Sequence, residues 1–246
     1  QDDKEALMWL SRAAEQGDAK AQTNLGQMYA QGQGITQNYQ TAINLFRLAA
    51  TQGLAEGQLN LGRMYYAGKG LAQDHQEAVK WYRLAAEQGN AEAQLILGML
   101  YNQGQDMPQD YQQALKWYRL AAEQGNAIAQ SNLGAMYQHS QGAPQNYEEA
   151  VKWYRLAAEQ GLAEAQSNLG VMYGRGSGVP PNRIVAYALC NLAAAKKHFA
   201  DAEENRVLYI AQMTAKEIEA GQTLTREMAE HPIKAIDAFL AQRNAI

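Results

Sequence analysis

The sequence predicts an all-α protein, a solenoid of stacked helical hairpins, and this prediction rests on three observations. The segment KWYRLAAEQG begins at Lys80, Lys116 and Lys152, so it recurs every 36 residues. Single residues keep the same interval over most of the chain: Gly26, Gly62, Gly98, Gly134 and Gly170; Tyr29, Tyr65, Tyr101, Tyr137 and Tyr173. Apolar residues within each interval lie three and four positions apart, which is typical of helices. A fixed period of this length indicates units that bury their apolar faces by stacking.

Each period reads as two helices. The first carries the pattern A-x-x-x-L-G-x-M/L-Y and ends in a glycine-rich turn. An Asp or Asn then recurs where it can cap the second helix: Asp2, Asn38, Asp74, Asp110, Asn146 and Asn182. A Glu or Gln follows three residues later, at Glu5, Glu77, Gln113 and Glu149, and predicts a reciprocal capping box. The second helix closes at the glycine of EQG, which favours a left-handed backbone.

The second helix is apolar over more than half of its circumference, so it requires neighbours on two sides. Its Trp and Tyr residues could form a carbohydrate-stacking ladder, but their helical register favours packing between repeats. A mid-helix glycine at one register predicts backbones too close for a side chain. The glutamines at another register are expected to satisfy backbone groups inside the hairpin. They are Gln22, Gln58, Gln94, Gln130 and Gln166.

The period sets the domain boundaries. Residues 1–17 form the second helix of an incomplete repeat, and five repeats follow at 18–53, 54–89, 90–125, 126–161 and 162–197. Residues 198–246 lose the pattern and are expected to form helices that cap the last open face. Because the chain begins with Gln1 rather than Met, we expect a processed product or a cut fragment, with any export signal lost.

Composition excludes several functions. The net charge of -4, without any basic stripe, argues against nucleic-acid binding. The single cysteine, Cys190, excludes an internal disulfide, and no apolar run is long enough for a membrane span. We predict no catalytic residues, no cofactor and no metal, because the histidines lack metal-ligand spacing and are expected at the surface or in loops. These are His75, His139, His198 and His231. The GRGSGVP turn from Gly174 lacks the lysine of a phosphate loop.

The two units Ala91–Gly125 and Ala127–Gly161 resemble Sel1-like repeats, relatives of the tetratricopeptide repeat. The resemblance covers about Asp2 to Ala195, with local departures where Asp106 and Ser140 replace turn glycines. It implies a right-handed superhelix whose first helices line the concave face, and a non-enzymatic scaffold that binds a protein or peptide partner. It also implies a bacterial source and a periplasmic, envelope or secreted location, with a cytoplasmic location as the alternative.

Binding is expected where the first helices differ between repeats, on the predicted concave face. The candidate residues are Asn24, Gln27, Leu59, Asn60, Arg63, Leu95, Ile96, Met99, Ser131, Asn132, Asn168 and Val171. The asparagines would form a ladder along an extended peptide, or bond within their own helices or to water. The apolar members would form an exposed contact patch, or pack under a neighbouring helix.

Two other functions compete with the scaffold. Some cysteine-rich relatives bind or hydrolyse cell-wall or β-lactam compounds, but this chain lacks their recurrent cysteines and a serine beside a base. The other is a structural spacer that self-associates through an open N-terminal repeat face.

Overall fold

In the computed structural model, which describes residues 2–196 and 200–244, the described chain forms fourteen α-helices and no strand. They are α1 (Asp2–Glu15), α2 (Ala19–Gln31), α3 (Tyr39–Thr51), α4 (Ala55–Ala67), α5 (His75–Glu87), α6 (Ala91–Gln103), α7 (Tyr111–Glu123), α8 (Ala127–Gln138), α9 (Tyr147–Glu159), α10 (Ala163–Arg175), α11 (Arg183–Ala194), α12 (Ala200–Ile210), α13 (Ala215–Glu227) and α14 (Pro232–Asn244). The predicted all-α class and the 36-residue helix-turn-helix repeats are confirmed. Helices α2, α4, α6, α8 and α10 are the first helices of the repeats, and α1, α3, α5, α7, α9 and α11 are the second helices.

The chain divides into two compact units, Gln1–Leu120 and Ala121–Ile246. In the first unit, consecutive helices from α1 to α6 pack against one another, so each hairpin lies beside the next. In the second unit, α8 to α11 pack in the same way. Helices α12 and α13 then pack against α11, where a cap was predicted, and α14 returns to α9.

Aromatic rings of the second helices occupy the space left by the mid-helix glycines. A Cβ built on Gly62 would lie 2.8 Å from the Tyr82 ring, and one on Gly98 would lie 2.5 Å from the Tyr118 ring. Real Cβ atoms essentially never approach so closely, so the predicted close approach is confirmed. The tryptophans at 117 and 153 are buried as well, as expected for packing between repeats.

The recurrent glutamines satisfy backbone groups, as predicted, but the carbonyl each one binds belongs to the preceding repeat and not to its own hairpin. Gln58 on α4 donates to the carbonyl of Ala50 in the last turn of α3, at 3.3 Å. Its side-chain oxygen accepts from Gln88, beyond the end of α5, at 2.7 Å. Carbonyls at helix C-termini have no partner within their own helix, so this contact satisfies one of them. The donation to a carbonyl eight residues earlier recurs from Gln22, Gln94, Gln130 and Gln166.

The predicted N-caps Asn38, Asp74, Asp110, Asn146 and Asn182 are confirmed, whereas Asp2 is the first residue of α1. The predicted capping boxes of Glu77 and Glu149 do not form. Asp74 accepts from the backbone N–H of Glu77 at 2.9 Å. The reciprocal bond from Glu77 is not needed, because the Asp74 N–H already donates to the carbonyl of Tyr65 at 3.0 Å. The Glu77 carboxylate accepts from Lys80 instead, at 2.8 Å. A capping box does form in α13, between Thr214 and Glu217.

Candidate functional site

The predicted binding residues divide by burial. Leu59 and Leu95, with exposures of 4% and 7%, are not part of an exposed patch, and Asn60 and Ser131 are buried as well. Leu59 lies in a core cluster with Leu97 of α6, because adjacent first helices also pack on each other. For these leucines the alternative of packing under a neighbouring helix applies. The half-buried members are Gln27, Arg63, Ile96, Asn132, Asn168 and Val171, and the exposed ones are Asn24 and Met99.

A small apolar pocket opens between α4, α5 and α6 in the first unit, and it contains two of the predicted residues. Its volume is about 240 Å³. Met99 is 37% exposed, whereas Leu100 and Tyr82 belong to the core. The rings of Tyr66 and Tyr82 form one wall, with centroids 6.4 Å apart. The pocket is lined by Tyr66, Tyr82, Ile96, Met99, Leu100 and Gln103.

Polar groups of the same two first helices join α4 to α6. Arg63 of α4 forms an ion pair with Glu92 of α6 and donates to the side-chain oxygen of Asn60 at 3.3 Å. Both members of the ion pair are partly exposed, so the pair contributes little to stability. Because they are partly exposed, Arg63 and Glu92 can also contact polar groups of a bound segment.

A cluster of Tyr66, His75 and Asp106 holds the aromatic wall. The Tyr66 hydroxyl donates to one carboxylate oxygen of Asp106 at 2.9 Å, and Nδ1 of His75 contacts the other. The His75 ring stacks on Tyr66, with centroids 4.5 Å apart and planes at 14°. The hydrogen bond to the Asp106 carboxylate raises the pKa of Tyr66, and burial adds to the effect. The hydroxyl is therefore held in one orientation.

Sequence reasoning did not find this cluster. Each member departs from the repeat at its own register, since Tyr66 corresponds to Ala30, His75 to Tyr39, and Asp106 to a turn glycine. The fact that these three departures occur in adjacent repeats was the sequence signal that could have revealed the cluster. His75 is half-buried at the start of α5 rather than in a loop. His139 and His231 are exposed, and His198 lies outside the described residues.

The described residues also bear on three other kinds of site: a reactive thiol, a metal site and a membrane span. Burial raises the pKa of the Cys190 thiol to about 12, so it stays protonated at neutral pH. In residues 2–196 and 200–244, no three His, Cys, Asp or Glu side chains are grouped to hold a metal ion. None of the described helices is both long and apolar enough to span a membrane.

A family model and several solved structures match this chain. The Sel1 repeat model matches residues 1–18, 19–54, 55–90, 91–126, 127–162 and 163–198. A Sel1 repeat protein from Oxalobacter formigenes is 33% identical, with a TM-score of 0.72 over 79% of this chain and 86% of that one. A protective antigen of uropathogenic Escherichia coli with an SLR fold is 30% identical, with a TM-score of 0.60 over 96% of this chain and 58% of that one.

A third structure supports the fold alone. A Klebsiella pneumoniae protein has a TM-score of 0.51 at 21% identity, over 82% of this chain and 97% of that one. The comparison with curated protein sequences found no match.

Proposed function

We propose that this chain, which belongs to the Sel1 repeat family, is a non-enzymatic scaffold that binds a peptide segment of a protein partner on its first helices. Sel1 repeat solenoids commonly serve as protein-interaction scaffolds. The observation that supports a particular place is the pocket between α4 and α6, whose tyrosine wall is held by Asp106 and His75.

The pocket suits one large apolar side chain of the partner. Its volume of about 240 Å³ is below the range of sites for whole small ligands, so it fits a side chain better than a free metabolite. Arg63 and Glu92 on the adjacent turns offer one charge of each sign to the peptide flanking that side chain. Because the Tyr66 ring is already ordered by Asp106, binding does not have to order it.

We expect Met99→Lys to abolish binding, because it places a charge in the apolar pocket. Peptides selected from a random displayed library against the full chain should share an apolar residue. Their affinity for Met99→Lys should fall at least tenfold in fluorescence anisotropy. The control is Met8→Lys, since Met8 is also exposed but lies on α1. Equal affinity of the selected peptides for wild type and Met99→Lys would exclude this site.

Bacterial origin agrees with the bacterial sources of the solved relatives, and export from the cytoplasm stays a prediction.

A further inference from the structure

The outer face of α5 carries nearly the same residues as the face of α9 on which the C-terminal helix α14 lies. Both helices contain KWYRLAAE. On α9 the residues beside α14 are Val151, Lys152, Arg155, Leu156 and Glu159. The same types stand on α5 at Val79, Lys80, Arg83, Leu84 and Glu87. The chain therefore contains one occupied copy of this surface on α9, a further copy on α5, and the same KWYRLAAE sequence on α7.

On α9 two charged side chains recognise the start of α14. The guanidinium of Arg155 donates to both carboxylate oxygens of Asp237, at 2.6 and 2.7 Å. The Glu159 carboxylate accepts the backbone N–H of Ile233 at 2.7 Å, in the first turn of α14. Free N–H groups and the positive end of the dipole are present at any helix start. The surface thus binds a helix N-terminus together with an acidic residue in the second turn of that helix.

Polar contacts join α14 to α9 at a partly exposed surface, while Ile236 of α14 is fully buried. Leu156 remains 45% exposed, and a cleft of about 740 Å³ lies between α9 and α14 beside Ile233. A bidentate arginine–carboxylate pair is both strong and directional, which suits recognition at a partly exposed surface.

On α5 the same arginine is held in place without a carboxylate. Arg83 donates to the Tyr101 hydroxyl at 3.0 Å, as Arg155 donates to Tyr173 at 3.2 Å. Within the described ranges, no acidic group lies at ion-pair distance from Arg83. Leu84 is 44% exposed, close to the value for Leu156.

Helix α3 offers a poorer copy of the surface, because the glutamate is replaced by Thr51, which carries no charge to attract a helix start. Helix α7 keeps the arginine, leucine and glutamate, and its Arg119 and Leu120 each take part in an interaction, as Arg83 and Leu84 do on α5.

We propose that Arg83, Leu84 and Glu87 of α5 form a docking site for the N-terminal end of an amphipathic helix of a protein partner. That helix carries an apolar residue in its first turn and an aspartate in its second. Arg83 binds the aspartate, Glu87 accepts from the first free N–H groups, and Leu84 contacts the apolar residue. This surface is separate from the pocket between α4 and α6.

The test uses a probe copied from α14. A fluorescent peptide of residues 230–244, stapled between positions 234 and 238 to keep it helical, is titrated against the full chain. We expect Arg83→Ala, and separately Glu87→Ala, to weaken binding at least tenfold. Asp237→Asn in the peptide should weaken it equally, and Met99→Lys in the protein should leave it unchanged. The melting temperatures of Arg83→Ala and Glu87→Ala should equal that of wild type, because both side chains are exposed.

The matched control is Arg155→Ala, which changes the same residue in the same sequence context on α9. It should alter peptide affinity less than twofold. Loss of binding in Arg155→Ala but not in Arg83→Ala would mean that the peptide replaces α14 on α9, and would overturn the proposal. Absence of binding to wild type would overturn it as well. A dimer in light scattering that Arg83→Ala disrupts would identify a second copy as the occupant instead of another protein.

Discussion

A glycine in the middle of a helix costs roughly 1 kcal/mol relative to alanine, yet one stands in each first helix of the repeats. The structure explains this at the scale of single residues. The rings of Phe46, Tyr82, Tyr118 and Tyr154 fill the space beside these glycines, and Cys190 does so beside Gly170. The backbone cost is offset by an aromatic side chain that becomes almost completely buried.

We expect Gly98→Leu to destabilise the chain by about 3 kcal/mol, because overpacking displaces the Tyr118 ring. Urea unfolding measures the change. Asn24→Leu is the control, since Asn24 is an exposed residue of another first helix. Similar midpoints for wild type and Gly98→Leu would show that the helices can separate without cost.

At the scale of elements, the N-cap of each second helix is connected to the preceding first helix. The cap side chain satisfies one free N–H of the second helix, and its backbone N–H bonds to the tyrosine carbonyl of the first. This double contact sets the angle of the turn. It also explains why the glutamate three residues later bonds elsewhere.

We expect Asp74→Ala to lower the free energy of unfolding by about 1 kcal/mol, the usual value of a lost N-cap. Glu77→Ala should change it by less than about 0.5 kcal/mol, because Glu77 has only a surface ion pair to lose. Urea unfolding of the two variants separates the roles. If Glu77→Ala lowered the free energy of unfolding as much as Asp74→Ala, the result would show that Glu77 does take part in a capping box.

At the scale of the whole molecule, the same buried tyrosine position recurs in several repeats. Burial raises the pKa of Tyr82, Tyr118 and Tyr154 above the ordinary value of 10.0. Above about pH 10 the unfolded chain therefore releases these protons while the folded chain keeps them. The unfolded state binds fewer protons in that range, so the stability falls as the pH rises.

We expect full stability from these tyrosines below pH 10 and a progressive loss above it, measured as melting temperature against pH. Tyr118→Phe should make the alkaline decline shallower, since it removes one titrating group. An unchanged slope in this variant would show that other groups, such as surface lysines, govern alkaline unfolding.

The repeated part of the fold could be read from the sequence because it depends on local rules. Capping residues, closing glycines and ring-accommodating glycines each act within one hairpin or between neighbours, and repetition made each visible several times. The site was less accessible to sequence reasoning. Leu59 varies between repeats as binding residues do, yet it is buried in a core cluster with Leu97 of the next first helix, and Asn60 is buried as well.

The sequence by itself determined the period, the helices, their caps and the glutamines that join them, because these interactions are set by spacing along the chain. Tertiary structure alone decided which variable residues reach the surface. It also brought Tyr66 to Asp106, 40 residues away, and Arg155 to Asp237, 82 residues away. The physical reason is that burial and side-chain contact depend on how far apart packed helices lie, and the sequence does not record that distance.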